Sequence, residues 1–327
     1  KNQFAIRNSQ FSIANDIERN MKMQENTKTK NSFVTIVGRP NVGKSSLLNA
    51  LVGEKIAAVS NKPQTTRTKI TGVVTKGDTQ YVFMDTPGMH KAKNKLSEHM
   101  IEAINESAAD VDIIMLVVDV TKKLNDTEKS LAANSGGKNA KKILIINKID
   151  LIEDKQELIG KIAEYSSIAD FSDVIPISVK ENDGIDIVMQ TLDKYAVEGP
   201  HYFPDDMLTD QPEKVIMGEI IREKALNNLN EEIPHGIAVT IERLDERDSK
   251  SGEAILDIEA TVFCERESHK RIVIGKGGNM LKKIGSDARE ELEEFFAIKV
   301  NLKIWVKVKE GWRNREGMIR NFGLSLK

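Results

Sequence analysis

The run Gly38-Arg39-Pro40-Asn41-Val42-Gly43-Lys44-Ser45-Ser46 carries the spacing G-x-x-x-x-G-K-S/T. Glycines at the two ends let backbone N–H groups converge on a polyphosphate, and the lysine adds a point charge for the β- and γ-phosphates. The Ser45 hydroxyl can ligate Mg2+. Further on, Asp85-Thr86-Pro87-Gly88-Met89 offers a carboxylate that can hold the same ion, usually through water, and a glycine N–H for a γ-phosphate. Asn147-Lys148-Ile149-Asp150 points to base selection. The Asp150 carboxylate can accept from both N1–H and the exocyclic amine of guanine, a donor pair that adenine lacks, while Lys148 lies along the base plane and Asn147 braces the loops. GTP, GDP and Mg2+ are therefore the expected ligands.

A second constellation lies near the other end. Gly275-Lys276-Gly277-Gly278 is a G-x-x-G loop inside residues 268–286, which hold Lys270, Arg271, Lys276, Lys282 and Lys283 and no acid. Backbone donors and cations together favour phosphate, and a glycine loop permits close approach of a single strand of RNA. The overall charge is only -2, with 48 Lys plus Arg against 50 Asp plus Glu, so any nucleic-acid surface has to be local. Residues 270–327 carry 14 Lys plus Arg and 7 Asp plus Glu, a net of +7 against -9 for the remainder.

The elements that must position these loops are readable. From Phe33 to about Ala196, apolar runs alternate with amphipathic stretches, as a mostly parallel sheet covered by helices requires. The strands expected are 33–37, 70–75, 80–84, 113–120, 142–146 and 174–177, with Lys76-Gly77-Asp78 turning the second into the third as a hairpin. Residues 1–32 lack periodicity and read as an extension. Residues 199–212 hold three prolines and read as a linker between a nucleotide domain (33–198) and a second domain (213–327). Across such a linker, the nucleotide chemistry should be indifferent to changes in the second domain. In that domain a helix with the stripe Met217, Ile220, Ile221, Ala225 and Leu229 precedes two alternating strands. After the Ile272-Val273-Ile274 run and the glycine loop come Asn279–Ile284, a separate charged helix at 287–296 and a strand at 300–308. Cys264 falls on the inward face of a strand, as a small hydrophobe rather than a nucleophile. A single cysteine fits a reducing compartment. The longest apolar run, 113–118, is far short of the ~20 residues that span a membrane.

These motifs resemble the translation-factor-related GTPases, and the Era family among them. Gln64-Thr65-Thr66-Arg67-Thr68 is similar to that family's first switch, which implies Thr66, or alternatively Thr65, as the contact to Mg2+ and γ-phosphate. Ser178-Val179-Lys180 stands where such GTPases carry Ser-Ala-Lys; Val179 departs from alanine but keeps the N–H that contacts the guanine carbonyl. The helix, strand, strand, helix, helix, strand order around G-x-x-G resembles a type II KH domain. Val306-Lys307-Val308-Lys309-Glu310-Gly311-Trp312 with a following basic helix is also similar to that family's C-terminus.

The resemblance implies an α/β Ras-like P-loop GTPase domain plus a smaller α+β KH domain. It also implies binding to small-subunit ribosomal RNA near its 3′ end and association with the small ribosomal subunit in the cytoplasm, with peripheral membrane attachment in some members. No DNA partner is expected. Asn41 is the P-loop position that helps hold K+ in related GTPases with a hydrophobic residue in place of the catalytic glutamine. Met89 stands in that glutamine's place and cannot orient water, and His90 beside it reads as a solvated residue of a lysine-rich loop. Slow hydrolysis is the expectation; the alternative reading is an RNA-binding scaffold that holds guanine nucleotide as a structural ligand.

Overall fold

The computed structural model describes residues 29–60, 62, 65–88, 94–107, 111–134, 140–229 and 233–324. The first unit runs β1 (Lys30–Val37), α1 (Lys44–Val52), β2 (Ile70–Lys76), β3 (Thr79–Asp85), α2 (Lys95–Ser107), β4 (Ile113–Asp119), α3 (Asp126–Asn134), β5 (Lys141–Asn147), α4 (Lys155–Ser166), β6 (Asp173–Pro176), α5 (Ile185–Asp193) and β7 (Val197–Glu198). Its strands form one sheet in the order β2-β3-β1-β4-β5-β6, with β7 paired to β1. The β2/β3 hairpin and the β7 pairing are antiparallel; the other pairings are parallel. β4 is buried along its whole length because helices cover both faces. Ile113, Met115 and Val117 pack toward α1 and α5, while Ile114, Leu116 and Val118 pack toward α3 and α4.

The second unit is α6 (Glu213–Asn228), β8 (Ala238–Asp248), β9 (Ala254–Cys264), α7 (Glu267–Ile274), α8 (Asn279–Phe296), β10 (Lys299–Val308) and α9 (Glu316–Asn321). Its sheet has the order β10-β9-β8, with β9 parallel to β10 and antiparallel to β8. Ile258, Ala260, Val262 and Cys264 of β9 meet the α6 stripe Ile216, Met217, Ile220, Ile221 and the α8 stripe Ile284, Ala288, Leu292 in one core. Burial pushes the Cys264 thiol up to about 12, so it stays protonated and unreactive.

Three expectations change. Lys30 and Asn31 belong to β1 rather than to an extension, because they pair with Glu198 and Val197. The glycine loop lies between α7 and α8, and residues 279–296 form one helix rather than a short segment followed by a second. Gly285 does not break it: the position faces the Ile304 side chain, and the Ile284, Ala288, Leu292 stripe continues through it. The segment 199–212 is also more than a tether. Gln80 accepts from the Tyr202 and Phe203 N–H groups at 2.7 and 3.0 Å, Val73 N–H donates to Leu208 O at 2.8 Å, and the Thr209 hydroxyl donates to Thr71 O at 2.6 Å. It is laid along the β2/β3 edge, covering backbone that an edge strand would leave exposed.

The two units are packed together. Leu96 and Met100 of α2 meet Ala238, Phe263, Trp312 and Ile319. Trp312 is fully buried, donates its indole N–H to Gly236 O at 2.9 Å and stacks edge-on against Phe322. Replacing Trp312 by Ala should lower stability by about 3–5 kcal/mol, the usual cost of truncating a buried large aromatic. Urea denaturation followed by circular dichroism measures it. A loss below about 1 kcal/mol, the ordinary effect of an unremarkable point substitution, would mean this apolar contact does little to hold the units together.

Candidate nucleotide site and RNA groove

β1 delivers the chain to Gly38 and α1 begins at Lys44, so the P-loop wraps the N-terminus of a helix, where unsatisfied N–H groups and the helix dipole favour anions. Lys44 is buried and donates to Gly38 O and Arg39 O at 3.2 and 3.0 Å, which holds its Nζ across the loop. Burial pulls its ammonium down, and the Asp85 carboxylate works against that. Asp85 lies at the end of β3 and is wholly buried. Burial pushes its carboxyl up, opposed by Lys44 and by the Ser45 and Thr66 hydroxyls.

Ser45, Thr66 and Asp85 converge. The Ser45 hydroxyl donates to Asp85 Oδ2 at 2.6 Å and lies 2.8 Å from the Thr66 hydroxyl, which donates to the same oxygen at 3.3 Å. Asp85 Oδ1 is buried without a hydrogen-bond partner. Two hydroxyls and a half-satisfied carboxylate are a hard oxygen set suited to Mg2+ that keeps waters and phosphate oxygens as its other ligands. The neighbouring Thr65 hydroxyl turns back to Lys62 O at 2.7 Å, away from that cluster. Gly88 presses on the P-loop: a Cβ there would fall 2.7 Å from Pro40 N. Thr86 ties the end of β3 to Ile36 O at 2.8 Å, and Pro87 is buried beside it.

At the base end, Asn147 donates to Val42 O at 2.9 Å and accepts from Lys148 N–H and Val179 N–H at 2.8 and 3.2 Å. A side chain at Gly43 would collide with it, since a Cβ would lie 2.2 Å from Asn147 Nδ2. The Val179 N–H, expected to serve a guanine carbonyl, lies at this end of the site and donates to Asn147 Oδ1. Asp150 accepts from the Ser178 hydroxyl at 2.6 Å, and Lys180 Nζ lies 3.9 Å from its other oxygen. Lys148 donates to Asn41 O at 2.8 Å and pairs with Asp119 at 2.7 Å.

Asp119 was not singled out from the sequence. Its signal is an acid closing the 113–118 run, one strand over from Asn147. Burial acts to raise its carboxyl, yet hydrogen bonds from Lys148 and Thr121 hold it below the usual carboxylate range. Arg39 contributes its backbone to the loop, and its side chain faces away from it. Its guanidinium turns to Glu128 at 3.4 Å and Lys123 O at 3.4 Å, and only its carbonyl serves the loop. Pro40, Asn41, Gly43, Lys44, Ser45, Ser46, Thr65, Thr66, Gly88 and Lys148 line one pocket together with Ala58, Val59 and Ser60. Met89 and His90 lie outside the described residues.

The second site is a groove between α8 and β10, lined by Gly278, Leu281, Lys282, Gly285, Ser286, Arg289, Leu302 and Ile304. Gly275 ends α7, and Gly277 and Gly278 both take left-handed backbone before α8. Lys276 is exposed in the loop itself, Lys282, Lys283 and Arg271 are exposed and Lys270 is half-buried on the two helices that meet there. Arg289, Leu302 and Ile304 were missed, although the alternation at 300–308 marks one strand face.

Comparison with known proteins decides the family. A family model described as a 50S ribosome-binding GTPase matches residues 33–148, and a KH domain model matches residues 232–313. The chain is 48% identical over 294 residues to the GTPase Era of Clostridioides difficile, covering 90% of this chain and 98% of that one. It belongs to the Era family of GTPases. The crystal structure of a tyrosine-to-alanine variant of Aquifex aeolicus Era bound to GDP·AlF4- superimposes with a TM-score of 0.85 at 36% identity, covering 91% of this chain and all of that one. An Era in complex with MgGDPNP and nucleotides 1506-1542 of 16S ribosomal RNA gives a TM-score of 0.86 at 37% identity with the same coverage.

For a member of the Era family, Asp150→Asn should reverse base preference, since xanthine presents a carbonyl where guanine presents its amine. Losing a hydrogen bond to a charged acceptor is worth about 1.5–3 kcal/mol, so GTP affinity should fall roughly tenfold or more while xanthosine triphosphate gains. Competition binding with the two nucleotides measures this, and a variant that still prefers GTP would overturn the assignment of Asp150 to the base.

Proposed function

We propose that this Era-family chain is a GTP-driven switch that binds the 3′ end of small-subunit ribosomal RNA through its KH groove during assembly of the small ribosomal subunit in the cytoplasm. The observation that carries the reading is the pairing, in one chain, of a pocket with guanine-type loops and a basic glycine-loop groove, in the arrangement of a relative crystallised with MgGDPNP and 16S ribosomal RNA. The family description mentions the 50S particle, but the RNA held by that relative is 16S, and the small-subunit reading follows the RNA.

Ser45, Thr66 and Asp85 would hold Mg2+, with Asp85 acting through water as its unbonded buried oxygen allows. The chemistry supplied by the bound ion is neutralisation of charge on the β- and γ-phosphates. Lys44 and the P-loop N–H groups stabilise the charge that builds on the leaving phosphate oxygens, a task for fixed donors in a water-poor pocket. Thr66 senses the γ-phosphate, so hydrolysis releases the 65–68 segment. At the other end, the Gly275–Gly278 backbone approaches RNA phosphates, Lys276, Lys282 and Lys283 supply charge, and Leu281, Leu302 and Ile304 offer an apolar floor for bases.

The test is a double variant, Lys276→Asp with Gly277→Asp. The new carboxylates stand within a Debye length, about 8 Å, of any phosphate drawn to the loop. Binding of a single-stranded 16S 3′-end oligonucleotide should be lost, together with any stimulation of hydrolysis by that RNA, while GTP still binds. RNA affinity that survives would move the RNA surface elsewhere.

Asn41 stands at left-handed φ 64 beside Lys148, and the reading that it helps hold K+ has a separate check. Hydrolysis should run faster in K+ than in Na+ at equal ionic strength, with the difference erased in Asn41→Ala. Equal rates in the unaltered protein would reject it.

A further inference from the structure

Two consecutive residues of α6, a helix of the RNA-binding unit, take hold of the backbone of the first switch and of the residues leading into it. Glu223 accepts the Val59 N–H at 2.8 Å, and Arg222 donates to Thr65 O. Both side chains are almost wholly buried, at 2% and 3% exposure for Arg222 and Glu223. Glu223 is itself held by Lys55 at 2.8 Å, and Lys55 reaches Glu291 of α8 at 2.5 Å, so α8 shares the contact. Arg67 completes the attachment from the switch side by donating to Ile237 O at 2.5 Å. Between the fastened Thr65 and Arg67 stands Thr66, whose hydroxyl lies at Ser45 and Asp85.

The geometry points to Arg222 and Glu223 as positioning residues for the GTP·Mg2+ site: the RNA-binding unit fixes the switch backbone on both sides of the nucleotide pocket and so sets Thr66 against Ser45 and Asp85. Val59 and Thr65 line that pocket, six residues apart, and anchoring both points offsets the backbone entropy that ordering a chain segment costs. The contacts are to main-chain atoms, so they hold the course of the segment rather than one side chain. Neither residue lines the nucleotide pocket. Their effect therefore falls on the steps that need Thr66, namely Mg2+ uptake with GTP and hydrolysis, and spares GDP binding, which the P-loop and the guanine loops support without it. This rests on the Thr66 assignment made above. It also reverses the expectation that the nucleotide site is indifferent to the second unit.

The test uses the full chain. GTP hydrolysis under single-turnover conditions is titrated with Mg2+ for the unaltered protein, Arg222→Ala, Glu223→Ala and Glu223→Gln, and GDP affinity is measured alongside. The alanine variants should need at least fivefold more Mg2+ for half-maximal turnover and show a matching fall in maximal rate, with GDP affinity within twofold. Because removing one member of a buried charge cluster can unfold a protein, the Glu223 pair can carry the test alone. Glutamine keeps an oxygen for the Val59 N–H, so Glu223→Gln should recover most of what Glu223→Ala loses. Unchanged Mg2+ dependence in Glu223→Ala, or equal loss in Ala and Gln, would overturn the proposal. Absence of hydrolysis in the unaltered protein would instead sink the GTPase switch reading on which it stands.

Discussion

The Asn147 carboxamide is shared by three loops at once, giving its N–H to the P-loop at Val42 O and its oxygen to the Lys148 and Val179 N–H groups. Because the phosphate loop and the base loops descend from different strands, β1 against β5 and β6, their separation would otherwise be set only by sheet spacing. The amide fixes it to hydrogen-bond precision, which is what a nucleotide spanning both ends requires. The glycine at 43 is the other half of the same device, since a Cβ there would occupy the space that the amide nitrogen fills. Asp119 supports the arrangement from β4 by holding Lys148, whose Nζ also reaches Asn41 O. The P-loop, Lys148 and the Asp150–Ser178 pair therefore form one braced body rather than separate motifs.

How much of this was legible in the sequence follows from the range of the interactions concerned. The P-loop, the Asp85 carboxylate, the guanine loop and the glycine loop are short runs whose chemistry depends on neighbours a few residues away, and the strands behind them are continuous apolar stretches closed by turn residues. Those features are readable from spacing alone. The division between Thr65 and Thr66 was not, because two adjacent hydroxyls on an irregular segment are separated only by the course of the backbone. The course of the Arg39 side chain is hidden for a similar reason: its partner Glu128 is distant in sequence, and nothing local announces that the guanidinium leaves the loop. The helix at 279–296 is continuous where two segments were expected, and the close approach of β10 gives Gly285 a packing role inside it.

The interface between the two units was the least legible part, and its composition explains why. Arg67 and Ile237, Arg222 and Thr65, and Glu223 and Val59 are 170, 157 and 164 positions apart. In the sequence Arg67, Arg222 and Glu223 are each one more charge in a helix or loop, where the ordinary place for it is solvent. Only the fold turns Arg222 and Glu223 inward, because α6 lies between the β-sheet of its own unit and the first switch.

The same composition bears on how the interface responds to the nucleotide. Its apolar part is a small cluster around Trp312, and beside it lie the buried Arg67, Arg222 and Glu223, each bonded to a main-chain group across the interface, with Glu219 pairing Arg222 and Lys55 pairing Glu223. Burial, and then the nearby Arg222 charge, pull the Arg67 guanidinium below its ordinary range, so two cations are being held together against repulsion, with Glu219 in partial compensation. Burying charge in this way adds little net stability even when each group is bonded, and it becomes costly as soon as one partner moves. Arg222 also pairs with Glu219, so a shift of the Thr65 carbonyl would remove one of its two acceptors and leave a buried N–H only partly satisfied. A displacement of Thr65 at the γ-phosphate would therefore be felt at the interface, because a buried donor that loses one acceptor is costly to leave unsatisfied.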